Sequence, residues 1–169
     1  AMSLGHGGIA LVVRATGISR STISRGWWQR MGRPVYGGVS RLLITADAGG
    51  SNSPRTRLWK WELQKFANRT GLSITVCHYP PGTSKWNKIE HRLFSYIAKN
   101  WRGKPLVSLS TIVTLGSTTT QAGLRVRSEI DKRSYPKGVT VSDQQMDQVS
   151  LKRHDFHGDW NYTIRPIKT

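Results

Sequence analysis

Hydrophobic residues along this chain switch between two periods, and the switches mark out elements. Ile9, Val12 and Val13 recur at helical spacing, Gly17 interrupts them, and Ile23 follows within a Ser-rich segment. The pattern predicts a helix, a tight turn and a second helix over residues 8–26. Gly17 supplies the positive φ of the turn, Ser19 caps the second helix, and Ile18 and Ile23 lock the pair together. Residues 27–40 begin as the end of a helix and break into a loop at Gly32 and Pro34. Arg41 to Ala46, RLLITA, is a continuous apolar run of the kind seen in a central strand buried on both faces, and Asp47 ends it.

The period then returns to that of a helix. Ser53-Pro54 opens it, Gly71 closes it, and Trp59, Leu63, Phe66, Ala67 and Thr70 form its inner stripe, with Arg55, Arg57, Lys60, Lys65 and Arg69 on the other face. Leu72 to Tyr79 alternates apolar with small polar residues, which predicts a second strand. Pro80-Pro81-Gly82 stops that strand, and Thr83 or Ser84 is placed to cap a helix whose inner face reads Ile89, Leu93, Tyr96 or Ile97, and Trp101. Further on we expect a helix or short strand near Leu106 to Leu115, a strand-like Gly123 to Ile130, a turn at Tyr135 to Gly138, and a short helix from Ser142 to Gln148 capped by Ser142. The tail HDFHGDWNYTI carries His154, Asp155, His157 and Asp159, which could ligate a metal but lack partners on other elements. It reads as a folded C-terminal arm.

Charge narrows the function. Lys and Arg outnumber Asp and Glu by 26 to 9, a net charge of +17, in a chain of 169 residues that carries seven tryptophans. A folded, strongly basic protein points to nucleic acid; a basic ribosome-like or membrane-surface protein is the competing reading. Cys77 is the sole cysteine, which excludes a disulfide framework and a thiolate zinc cluster, and no residue is placed to orient it as a nucleophile. The start AMSLGHGG has no basic segment followed by an apolar run, and no 18-residue apolar stretch occurs, so a cytoplasmic, soluble protein with no membrane partner and no small-molecule substrate is expected.

The candidate chemistry rests on two acids. Asp47 ends its predicted strand where α/β sheets place their sites, although a turn or capping aspartate is the plainer reading of it alone. Glu90 stands near the start of a helix among Lys85, Lys88, His91 and Arg92, with Asn87 three residues before it on the same face. The helix dipole there favours an ionised carboxylate and attracts phosphate. On the second N-terminal helix, Arg20, Ser21, Thr22, Ser24 and Arg25 face outward and suit phosphates and base edges. Residues 1–46 contain no Asp or Glu.

Strand, acid, helix, strand and a helix bearing Glu is an order that resembles the second half of ribonuclease H-like domains. LLITADAGGSNSPR, HYPPGTSKWNKIEHRLFSYI and HDFHGDWNYTI closely resemble the ISAzo group of bacterial insertion-sequence DDE transposases, and VVRATGISRSTISR is similar to the helix-turn-helix of bacterial DNA-binding proteins. The resemblance implies an α/β, partial ribonuclease H-like domain with three parts: a helix-turn-helix segment at 1–26, the partial catalytic core at 27–101, and a C-terminal extension at 102–169. It places Asp47 as the second catalytic carboxylate and Glu90 as the third, both holding Mg²⁺ or Mn²⁺ in a two-metal site, with Asn87 in support and Lys85, Lys88 and Arg92 against DNA. Double-stranded DNA at transposon ends and target is the implied partner, engaged as a homo-oligomer, and the implied reaction is metal-dependent cleavage and strand transfer. Family members carry a long segment with the first catalytic Asp before the Asp47 strand. Here Gly26 runs directly into Trp27-Trp28, as if that segment were deleted, which leaves the metal site incomplete and an edge of the Arg41–Ala46 strand unpaired. The alternative is a non-catalytic DNA-binding remnant that occupies transposon ends and competes with intact transposase.

Overall fold

The computed structural model describes residues 10–12, 28–29, 32–83, 86, 88–119, 125–126 and 138–167. They fall into two compact units, one built on a sheet and holding residues up to 84 and from 136 onward, the other spanning 85–135.

The sheet unit is organised by the apolar run around Leu42. Strand β2 (Arg41–Asp47) pairs in parallel with β3 (Ser73–Tyr79), from Arg41 opposite Ser73 to Asp47 opposite Tyr79. On the other side of β2 lies β1 (Ala10–Val12), also parallel, with Val12 opposite Thr45. The helix expected around Ile9 to Val13 is therefore corrected at Ala10–Val12, which the open edge of β2 takes up as a strand. The edge expected to be unpaired is filled. Residues 1–9 and 13–26, the rest of the expected helix-turn-helix segment with Arg20, Ser21, Thr22, Ser24 and Arg25, lie outside the described residues.

Burial corrects the reading of β2 as well. Leu42, Ile44 and Ala46 are buried, whereas Leu43 is 36% exposed and Thr45 is half-buried, so one face of the strand carries the core. A strand central in pairing order is thus not buried on both faces, because pairing uses the edges and burial uses the faces. Ahead of it, Pro34 does not break a helix but sits in the first turn of the short α1 (Arg33–Tyr36), where its fixed φ and missing N–H are tolerated.

Helix α2 (Arg57–Thr70) covers the core face with Trp59, Leu63, Gln64, Phe66 and Ala67. It starts later than Ser53-Pro54 predicted. The Ser53 hydroxyl accepts from the Arg55 N–H, and residues 50–56 form a short 3-10 turn and loop instead. Gly71 ends α2 in the left-handed conformation at φ 74°, its N–H on the Ala67 carbonyl at 2.8 Å. The chain then drops Leu72, Ile74 and Val76 into the same core.

The remaining strands come from the far end of the chain. Helix α5 (Asp143–Asp147) opens with a capping box, the Ser142 hydroxyl on the Gln145 N–H and the Gln145 side chain on the Ser142 N–H. Two strands follow, β6 (Leu151–Arg153) and β7 (Asn161–Ile164), antiparallel to each other, and β7 pairs antiparallel with β3. The sheet order is β1-β2-β3-β7-β6. Tyr162 and Ile164 are core residues, so the tail read as an arm is a pair of strands within the sheet. Gln64 of α2, itself buried, fastens this region by accepting from the Ser150 N–H (2.8 Å) and donating to the Arg165 carbonyl (2.8 Å).

The second unit contains α3 (Lys88–Trp101), α4 (Leu109–Gly116) and the two-residue strands β4 (Thr118–Thr119) and β5 (Arg125–Val126), which pair antiparallel. The Thr83 hydroxyl is used within the Pro80 turn, donating to the Pro80 carbonyl at 2.6 Å, and Ser84 lies outside the described residues. Ser108 caps α4 by accepting from the Thr111 N–H, and Asn100 of α3 donates to the Leu115 carbonyl.

Candidate functional site

The parallel pairing of β2 and β3 brings their carboxyl ends together, and Asp47 is the last residue of β2 in that ladder. Helix dipoles and loop backbone converge on this end of an α/β sheet, which is where such sheets hold ligands. Immediately beyond Asp47 the chain turns through Gly49 and Gly50 into the short 3-10 turn that buries Asn52. Beside it on the core side stands His78, buried and in register with Ala46.

His78 is tied into a chain of three polar groups that the sequence reading did not identify. Trp59 Nε1 donates to Tyr162 Oη at 2.9 Å, and Tyr162 Oη lies 3.0 Å from His78 Nε2, with the two rings 5.7 Å apart. A hydroxyl that accepts from the indole keeps its own proton to give, and giving it to Nε2 satisfies all three groups. Burial pushes the Tyr162 hydroxyl well above the ordinary tyrosine range, against the opposing pull of the Trp59 bond. Burial also lowers the Lys60 ammonium, with Arg153 adding to the effect, and Lys60 Nζ stands 5.6 Å from the centre of the Tyr162 ring. These contacts link residues 84 and 103 positions apart. The signal available in sequence was an indole and a phenol at inward-facing positions, each needing a partner.

The same loop-bearing end of the sheet receives the β6–β7 connection. The His78 N–H donates to the Trp160 carbonyl at 3.0 Å, so residues 155–160 lie at the end of β3 that also carries the Asp47–Tyr79 pair. His154 Nε2 is committed to Thr163 Oγ1 at 2.8 Å and Asp159 pairs with Arg153, so two of the four possible tail ligands have structural partners within the hairpin. Cys77 is half-buried and its thiol is pushed up by burial, which agrees with an unreactive cysteine.

Glu90 is the third residue of α3, in the second unit, together with Lys88 and Arg92. Asn87 and Lys85 lie outside the described residues. Asp47 and Glu90 thus belong to different units. Among the described residues no group of three or more His, Cys, Asp or Glu could hold a metal ion. The buried Thr45 Oγ1, two residues before Asp47, has no hydrogen-bond partner, but a neutral hydroxyl does not replace a carboxylate. Carboxylate oxygens of this kind suit a hard divalent cation. A cavity of about 330 Å³ lies at the opposite end of β2, lined by Trp28, Gln29, Arg33, Val39, Phe66 and Arg69. It contains no acid, and the position of Asp47 at the strand's carboxyl end is the stronger pointer to chemistry.

A mixed α/β sheet with an acid at the carboxyl end of a central strand, in a strongly basic chain, defines the class as an α/β domain suited to a polyanionic substrate. Residues 16–166 match the family model of the Rhodopirellula transposase DDE domain, and the chain belongs to this family of ISAzo-type DDE transposases. The match begins inside the segment expected to form the helix-turn-helix and takes in Asp47, Asn87, Glu90 and the β6–β7 hairpin. No curated protein and no solved structure matches the chain significantly. The family implies DNA as the partner and dependence on a divalent metal. Among the described residues no helix is long and apolar enough to cross a membrane.

Proposed function

We propose that this chain is a DDE-type transposase whose metal centre is incomplete, so that it binds insertion-sequence ends but does not cut them by itself. Asp47 and Glu90 are the carboxylates assigned to a divalent ion, Mg²⁺ or Mn²⁺, with Asn87 supporting Glu90 or a substrate phosphate. Such an ion, when bound, activates the attacking oxygen and steadies the leaving one. The chain's own part is to hold DNA through its cationic surface, with Lys85, Lys88 and Arg92 around Glu90 and Arg20, Ser21, Thr22, Ser24 and Arg25 in the N-terminal segment. The observation that carries the reading is the family match across residues 16–166, together with the absence of any Asp or Glu before Asp47. A first carboxylate upstream of the Asp47 strand cannot come from this chain's residues 1–46. A deletion between Gly26 and Trp27 accounts for that absence.

The competing reading, a working nuclease and strand transferase, makes the opposite prediction in one assay. Purified protein is incubated with a transposon-end duplex and Mg²⁺ or Mn²⁺. We expect binding whose log K falls by about 0.9 for each phosphate neutralised per decade of salt, and no nicking. Metal-dependent nicking that Asp47→Ala and Glu90→Ala each abolish would establish the enzyme and overturn the incomplete centre. A binding remnant also competes: added to intact transposase, it should reduce cleavage at the same ends.

A further inference from the structure

The β6–β7 hairpin holds its tip in one conformation while leaving an aromatic ring outside. Phe156 is 75% exposed. The backbone around it is tied down: Asn161 Nδ2 donates to the Phe156 carbonyl at 3.0 Å and reaches the His157 carbonyl at 3.4 Å, and the Trp160 N–H donates to the His157 carbonyl at 2.8 Å. His157 is held at φ 48°, a left-handed conformation that a non-glycine residue adopts at a cost. Gly158 admits no side chain, since a Cβ there would lie 2.6 Å from the His154 carbonyl oxygen and 2.9 Å from Arg153 Cβ. Arg153 and Asp159 pair across the base of the loop. The exposed ring stands against His157, ring centres 4.4 Å apart and nearly perpendicular.

We propose that Phe156, braced by His157, is a stacking platform for an unpaired base of a DNA strand brought to the Asp47 end of the sheet. The placement of that strand rests on the reading of Asp47 as a metal ligand. The loop follows the register that sets Cys77 opposite Asn161, so it projects from the sheet end that carries Asp47. From β2 to β7 is two strand spacings, roughly 10 Å, a distance that the nucleotides next to a reacting phosphate span. A flat apolar ring offers every base a face, independent of sequence. The net charge of +17 favours a polyanion over an apolar protein partner, and Lys152 and Arg153, both exposed, flank the loop.

The test uses the full chain and two probes, a blunt DNA duplex and the same duplex ending in a short 3′ overhang with 2-aminopurine as the unpaired base. Wild type should quench the 2-aminopurine, and Phe156→Ala should lose the quench and bind the overhang about 5- to 100-fold more weakly, with blunt-duplex affinity and salt slope unchanged. Phe156→Trp should restore both. Phe156 is exposed, so a melting curve for Phe156→Ala that overlays wild type shows the loss is not one of folding. Quenching that survives Phe156→Ala, or equal losses on the two probes, overturns the platform. Reading the quench first without divalent metal and then with Mg²⁺ separates the two readings: a quench lost in Phe156→Ala in metal-free buffer reports stacking alone, whereas a failed metal reading shows as wild-type affinity that Mg²⁺ does not change.

Discussion

The two strands flanking the β2–β3 pair come from opposite ends of the chain. On the β1 side the described attachment is a run of three residues, Ala10 to Val12, in parallel register with β2. On the β7 side the backbone ladder is reinforced by side chains: the indole of Trp59 on the hydroxyl of Tyr162, that hydroxyl on His78, Thr75 Oγ1 within 2.9 Å of Thr163 Oγ1, and Gln64 on both Ser150 and Arg165. An edge whose side chains satisfy buried polar groups in the core cannot be removed without orphaning them. The distal end of the chain is anchored in this way, while the described β1 ladder is three residues long.

Tyr162→Ala should break that contrast most severely. It removes a fully buried ring from the core and leaves Trp59 Nε1 without its acceptor, and we expect a loss of about 3–5 kcal/mol in urea unfolding. A loss near that of an exposed-residue change would mean the β7 edge is no better held than β1.

Tyr162→Phe keeps the ring and deletes the hydroxyl, and should cost about 1–3 kcal/mol at neutral pH through the buried indole that loses its acceptor. It also sharpens the picture at high pH. The folded state holds this phenol above its ordinary pKa, so its contribution is complete below pH ~10 and is lost as pH rises beyond that value, where the unfolded chain ionises first. The melting temperature of wild type should fall above that pH more steeply than that of Tyr162→Phe.

The smallest effect is expected at the other edge. Leu11→Pro should lower stability by about 1 kcal/mol, the scale of one ladder hydrogen bond. A larger drop would show β1 to be as firmly seated as β7.

What could be read from residue order was what neighbours in sequence decide. The inner stripe Trp59, Leu63, Phe66 and Ala67, the stop at Gly71, the Ser142 cap and the alternation in β3 each depend on residues a few positions apart, and each is found as expected. The strand at Ala10–Val12 was misread as helix because Ile9, Val12 and Val13 fit a helical period, while β-branched residues beside an open strand edge fit pairing equally well. The incorporation of β6 and β7 into the sheet, and the Trp59–Tyr162–His78 chain, depend on positions about a hundred residues apart, beyond the reach of any local period. Asp47 could be placed at a strand end because the apolar run stops at it. Glu90 could be placed early in a helix by the Pro-Pro-Gly stop before it, and the role proposed for it rests on the resemblance of its motif.

The strand order also sets a schedule for synthesis. β3 is finished at Tyr79, yet the strand that covers its free side begins at Asn161. At roughly 5–20 residues per second this leaves β3 open for on the order of ten seconds on the ribosome. During that interval its unpaired side invites any extended segment nearby, including the same strand on a neighbouring nascent chain of one polysome. Slow translation between those points lengthens the exposure, and faster translation shortens it.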